Sequence, residues 1–175
     1  LRHYECSEIA AAIGRNLDFL AATYRDATPR HGSLRAVFDY SWDLLSPPLQ
    51  TTFAALSVFA GSFGQAEALD VAGATRSALN ALIDKSLLRR TGADRYALHE
   101  LLRQYAGGRL LPAAADAART AHSRAYSRLL AACTAQLKNS AQKSAVARIA
   151  QDFENVRSAW CTAIITHDIP ALLAA

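Results

Sequence analysis

His99 is the residue in this chain whose type and position most invite chemistry. It lies in Arg95-Tyr96-Ala97-Leu98-His99-Glu100-Leu101-Leu102-Arg103-Gln104-Tyr105-Ala106, where a short strand is expected to run directly into a helix. The first N–H groups of a helix have no partner within it, and the helix dipole is positive there. An imidazole at that junction adds a donor to a ready-made anion site. The plainer alternative is a histidine that caps the helix or packs under the neighbouring hairpin. No other constellation competes with it. The chain has no GxxxxGK[ST] phosphate loop, no GxGxxG, no HExxH, no paired carboxylates beside a base and no Ser/His/Asp set. Ser33 near His31 reads as a helix cap. We therefore expect no catalytic residue, no metal ligand and no enzymatic activity in this chain on its own.

The elements that must position His99 can be read from periodicity. Residues 7–22 predict an amphipathic helix with Ile9, Ile13, Leu17 and Leu20 as its stripe, and 28–32 a linker. A helix starting at Ser33 carries Leu34, Val37, Phe38, Trp42 and Leu45. Ser46-Pro47-Pro48 stops it and starts the next, since proline fits a first helical turn. That third helix carries Leu49, Phe53, Leu56 and Phe59. Residues 61–64 read as a turn and 65–71 as a short helix. Residues 75–85 read as a helix with Ala78, Leu79, Leu82 and Ile83 inward. The period then changes. Residues 86–90 predict a strand, 91–94 a tight turn and 95–98 the returning strand. Helices followed by one hairpin are the element order of a winged helix. A helix over 100–111 closes the unit, with Pro112 at its end. Beyond it the chain is helical and alanine-rich: 113–137, a break at Asn139-Ser140, 144–166, and a further start at Ile169. Ile149, Phe153, Val156, Trp160 and Ile164 form the expected inward face of the second of these. Trp42 and Trp160 both read as core. Helix pairs of this length suit repeat-like hairpins. The expected fold class is mainly α: a winged-helix domain followed by helical repeat-like hairpins.

Composition bounds the partners. Half the 175 residues are hydrophobic (51%), enough for a sizeable core, and the formal net charge is +4. The pI of about 9.2 is mildly basic, but the charges are scattered. The expected recognition helix offers Arg76, Asn80, Asp84 and Lys85 on its outer face, and the wing offers Arg89, Arg90 and Arg95. That face is thin in phosphate contacts and carries Asp84, which argues against direct DNA binding. Cys6, Cys133 and Cys161 form no CxxC pair, so neither a zinc site nor a disulfide framework is expected. A reducing cytoplasm fits best. No apolar run spans a bilayer and no signal peptide opens the chain, so no membrane is expected. The absence of methionine suggests a piece of a longer protein.

Several blocks, in order, resemble one family. Arg30-His31-Gly32-Ser33-Leu34-Arg35-Ala36 and Ser41-Trp42-Asp43-Leu44-Leu45 resemble the entry to the winged helix of bacterial STAND ATPases. These are signal-transduction ATPases, often LuxR-type or SARP-type transcriptional regulators, related to the NB-ARC proteins. Leu56-Ser57-Val58-Phe59-Ala60-Gly61-Ser62-Phe63 and Leu82-Ile83-Asp84-Lys85-Ser86-Leu87-Leu88 match later blocks. Leu98-His99-Glu100 looks like the family's Met-His-Asp motif. Asp152-Phe153-Glu154-Asn155-Val156-Arg157-Ser158-Ala159-Trp160 resembles the start of the tetratricopeptide-like region.

The resemblance implies three parts. Residues 1–29 would be the tail of a helical subdomain with its linker, 30–111 a winged-helix regulatory domain, and 112–175 the start of tetratricopeptide-like repeats. It implies a parent ATPase using ATP or ADP with magnesium, whose nucleotide-binding domain lies upstream in cis. This chain itself would hold no cofactor. His99 would contact the ADP phosphate only in the intact protein, and an inducer of unknown identity would act on the repeats. An open apolar face at the last repeat favours self-association. Two rivals remain: a DNA-binding winged helix and a helical protein-interaction scaffold.

Overall fold

The computed structural model describes residues 34–138 and 140–174. The expected helix over 7–22, the linker over 28–32 and the unit assigned to 1–29 lie outside them. Helix α1 (Leu34–Asp43) is followed by α2 (Pro47–Ala55), which has proline in its first turn. Ser46 occupies the N-cap with extended backbone but makes no side-chain cap bond. A single 3-10 turn, Leu56–Val58, continues α2. It carries the chain to β1 (Phe63–Gly64), α3 (Gln65–Ala72) and α4 (Arg76–Asp84). Gly73 ends α3 at φ +60°, the left-handed cap that glycine adopts without strain. Thr75 caps α4, its hydroxyl accepting from Ala78 N–H at 3.2 Å.

Strands β2 (Arg89–Gly92) and β3 (Arg95–Ala97) form the hairpin, and α5 (Glu100–Gly108) follows. The sheet order is β1-β3-β2, antiparallel throughout. This corrects the turn expected at 61–64. Phe63 pairs with Tyr96 and Gly64 with Arg95, so the hairpin gains a third strand. Two residues are too few to show alternation, which is why the sequence hid it. The first strand also starts later than expected. Leu87 and Leu88 are buried just after α4, and Ser86 turns the chain at φ +59°.

Helix α6 (Pro112–Gln136) runs as expected, but Pro112 opens it rather than ending α5, which stops at Gly108. The single helix expected over 144–166 is two, α7 (Gln142–Gln151) and α8 (Phe153–Ile165), divided at Asp152. A short α9 (Ile169–Ala174) follows. The inward face of α8 is also different from the expected one. Phe153, Trp160 and Ile164 are exposed, whereas Asn155, Ala159 and Ala163 are buried. Small residues on that face permit close approach to α6, and Ser123 of α6 donates to the Ala159 carbonyl at 2.9 Å. Trp160 is thus not core. Trp42 packs against the core, beside Phe53 and Tyr105.

One core joins the winged unit to these helices. Phe53, Leu56, Phe63, Leu79, Leu82 and Tyr96 are fully buried, and Tyr126 of α6 and Ala159 of α8 belong to the same cluster. Phe59 stacks on Phe63 with ring centroids 4.1 Å apart, and meets Tyr126 edge-on. Each such aromatic side chain contributes roughly 1.5–3 kcal/mol by leaving water. Helix α1 is held to α5 by Asp39, which accepts from Tyr105 Oη at 2.7 Å and pairs with Arg109. The tyrosine bond holds the Asp39 carboxyl below its ordinary range. Burial is the main reason Tyr105 rises to about 12.

Candidate functional site

His99 sits where the sequence placed it, exposed between β3 and α5. Its backbone is extended, and its Nδ1 accepts from Leu101 N–H at 3.3 Å. The capping role is therefore present. A neutral imidazole that accepts at Nδ1 carries its proton on Nε2, so one donor remains at the helix N-terminus. Glu100, the first residue of α5, is bound by Arg103 and Gln104, and the Arg103 bond is the main reason its carboxyl titrates low. His99→Ala should lower the stability of the chain by about 0.5–1 kcal/mol through the lost cap. Thermal unfolding of both forms measures it; an unchanged midpoint would show that the cap contributes nothing.

The winged face is less open than the sequence implied. Arg76 is tied to Asp94 of the hairpin turn at 2.9 Å and to Gln65 at 2.9 Å. Asn80, Asp84 and Lys85 are exposed on and just past α4, and Arg89 and Arg90 are exposed on β2. Arg90 lies 5.8 Å over the Tyr96 ring. Arg95, expected on the wing, is not there. It is 8% exposed and faces the helical layer. It lies on β3, the central strand, all three of whose residues are buried.

Under the sheet Arg95 enters a polar clamp that the sequence did not reveal. Its Nη2 donates to Asp152 Oδ1 at 2.7 Å and Nη1 to Oδ2 at 3.2 Å. The same Nη2 reaches the Ser62 carbonyl at 2.8 Å. Asp152 is fully buried at the break between α7 and α8, and Arg148 Nε lies 2.7 Å from its Oδ2. Arg148 also binds Glu67 of α3 at 2.7 Å. A Cβ at position 64 would press on that Glu67 carboxylate and oblige its side chain to move. Asn155 completes the clamp. It accepts from Ala60 N–H at 2.8 Å, donates to Ser62 O at 2.9 Å and meets His122 Nε2 at 3.2 Å. Because Asn155 Oδ1 accepts the backbone bond, His122 must donate through Nε2. Burial pulls His122 down to about 4, so the ring is neutral at pH 7. Charge signs at 95, 148 and 152 were visible in the sequence. Their meeting was not, because it depends on a helix break at Asp152 that periodicity runs straight through.

Among the described residues no group of His, Cys, Asp and Glu could hold a metal ion, and no helix is long and apolar enough to cross a membrane. Cys133 and Cys161 are free thiols.

Strands flanking α4 and the helices before it define a winged helix fused to a helical layer. The chain is 31% identical over 163 residues to "Putative HTH-type transcriptional regulator Rv0890c" of Mycobacterium tuberculosis, and equally to the like-named protein of Mycobacterium bovis. The match covers 87% of this chain and 18% of each relative, so the chain spans about a fifth of the length of the curated proteins it matches. No family model and no solved structure matches it.

Proposed function

We propose that this chain is the winged-helix segment of a transcriptional regulator, meeting DNA through α4 and the hairpin while the clamped helices carry the regulatory input. The observation that supports this reading is the similarity to HTH-type transcriptional regulators across 87% of the chain, including the winged unit. Lys85, Arg89 and Arg90 are the exposed cations placed to meet phosphates, and Asn80 the exposed amide on α4. Three phosphate contacts imply a salt slope of about −3 in log K against log salt. Fluorescence anisotropy on a duplex between about 50 and 200 mM salt reads it. Arg89→Ala with Arg90→Ala should flatten that slope by about 2 and weaken binding more than tenfold. Absence of binding at the low-salt end would overturn the reading.

His99 supports a second reading, nucleotide sensing by a STAND-type parent ATPase. Its remaining Nε2 donor at the N-terminus of α5 suits a phosphate, as the resemblance implies for ADP. The nucleotide, magnesium and the phosphate loop would come from a domain upstream in cis, and the helical hairpins would be the first tetratricopeptide-like repeats. In the intact parent, His99→Ala should weaken ADP retention roughly tenfold to a hundredfold, the equivalent of about 1–3 kcal/mol. Unchanged ADP affinity with a lowered melting point would leave only the cap.

A further inference from the structure

A cleft of about 520 Å³ opens between the 3-10 turn, α5, α6 and α8, where the winged unit meets the helical layer. That volume lies in the range of small-molecule sites. Val58, Leu110 and Ile165 supply apolar walls, and Arg103, Arg119 and His122 also line it. The two guanidiniums bring positive charge to the same cleft. Arg119 gives one N–H to Asp116, and Arg103 holds Glu100 and reaches Ser57 O at 3.4 Å. Arginine has more donors than Arg119 uses there. The third polar wall is of a different kind. His122 is 2% exposed, and its Nε2 is committed to Asn155. Its Nδ1 is then a lone-pair acceptor, and no protein donor meets it among the described residues. The buried side-chain atoms without a hydrogen-bond partner among the described residues lie on Arg95, Tyr96, Tyr126 and Arg148, so Nδ1 is an acceptor open to what enters the cleft.

We propose that this cleft binds a small organic anion that also carries an N–H or O–H donor. The anionic group pairs with Arg119 and Arg103, the donor meets His122 Nδ1, and the body of the molecule lies against Val58, Leu110 and Ile165. Such a molecule touches both the winged unit and the helical layer, as an effector of a regulator must. The site itself stands whether or not the hairpin meets DNA.

Ligand-observed NMR on the 175-residue chain tests it, using a fragment set of hydroxy- and amino-carboxylates, the same carboxylates without the donor, and matched neutral amides. Donor-bearing acids are expected to bind most tightly and, in protein-observed spectra of the ¹⁵N-labelled chain, to shift the signals of the His122 ring. Arg119→Gln, a change at an exposed side chain that leaves the core intact, should weaken them about tenfold. His122→Phe should erase the advantage of acids with a donor over acids without one. Equal binding by acids and amides, shifts confined to other residues, or full affinity in Arg119→Gln would each overturn the proposal. Anisotropy on DNA, run separately, keeps its failure distinct from that of the DNA reading.

Discussion

Asp152→Asn is expected to destabilise the chain by about 3–5 kcal/mol, the cost typical of breaking a buried ion pair from one side. Asp152 is fully buried, and Arg95 opposite it is almost so. The asparagine keeps the shape and removes the charge. Arg95 then loses its buried counter-charge, whereas Arg148, whose side chain is 38% exposed, keeps Glu67. The loss should be far smaller when both sides are replaced, as in Arg95→Met with Asp152→Leu, because the desolvation penalty of both ions disappears together. Urea unfolding of the single and double variants reads both quantities. A cost below about 1 kcal/mol for Asp152→Asn, the value of a surface pair, would mean that packing alone joins the two layers.

Acid should weaken the fold through His122. Its folded value of about 4 lies below the 6.5 of an exposed histidine because burial penalises the imidazolium. Between those values the unfolded chain binds a proton that the folded chain refuses. Stability from this group is therefore complete above the unfolded value and is lost as pH falls from about 6.5 toward about 4. Phe59, Tyr126 and Asn155 contact the ring, and none of them supplies a counter-charge. The expected loss is roughly 1–3 kcal/mol across that window. Unfolding midpoints at neutral and acid pH, compared between the parent chain and His122→Gln, isolate it. Parallel pH profiles for the two would show that His122 does not titrate in this range.

Much of the fold was legible because it rests on long periodic segments. Helix α6 and the inward Leu79, Leu82 and Ile83 of α4 follow from spacing alone. The hairpin followed from a change of period between 86 and 98. Three features escaped for three physical reasons. Strand β1 is too short to alternate. The break at Asp152 carries no local glycine or proline, and the Arg95 that pairs with it lies 57 residues away, so periodicity does not mark it. The buried face of α8 uses Asn155, Ala159 and Ala163, which hydropathy ranks below the exposed Phe153, Trp160 and Ile164. For the site, His99 could be placed from its motif position. Arg95 could be named but not located, since β3 is the central strand and buried along its whole length, which local spacing does not show.

The clamp also has a mechanical meaning. Arg95 holds the hairpin beside its turn, opposite Gly92, while Arg89 and Arg90 lie toward the base of the outer strand. A hairpin tied at its turn is anchored at the end that in an open wing would be free to move. Asp152 grips it from a helix break, the point along α7 and α8 where bending is easiest. The wing is thereby bound to the helical layer twice, at its turn by an ion pair and beneath its strands by the shared core.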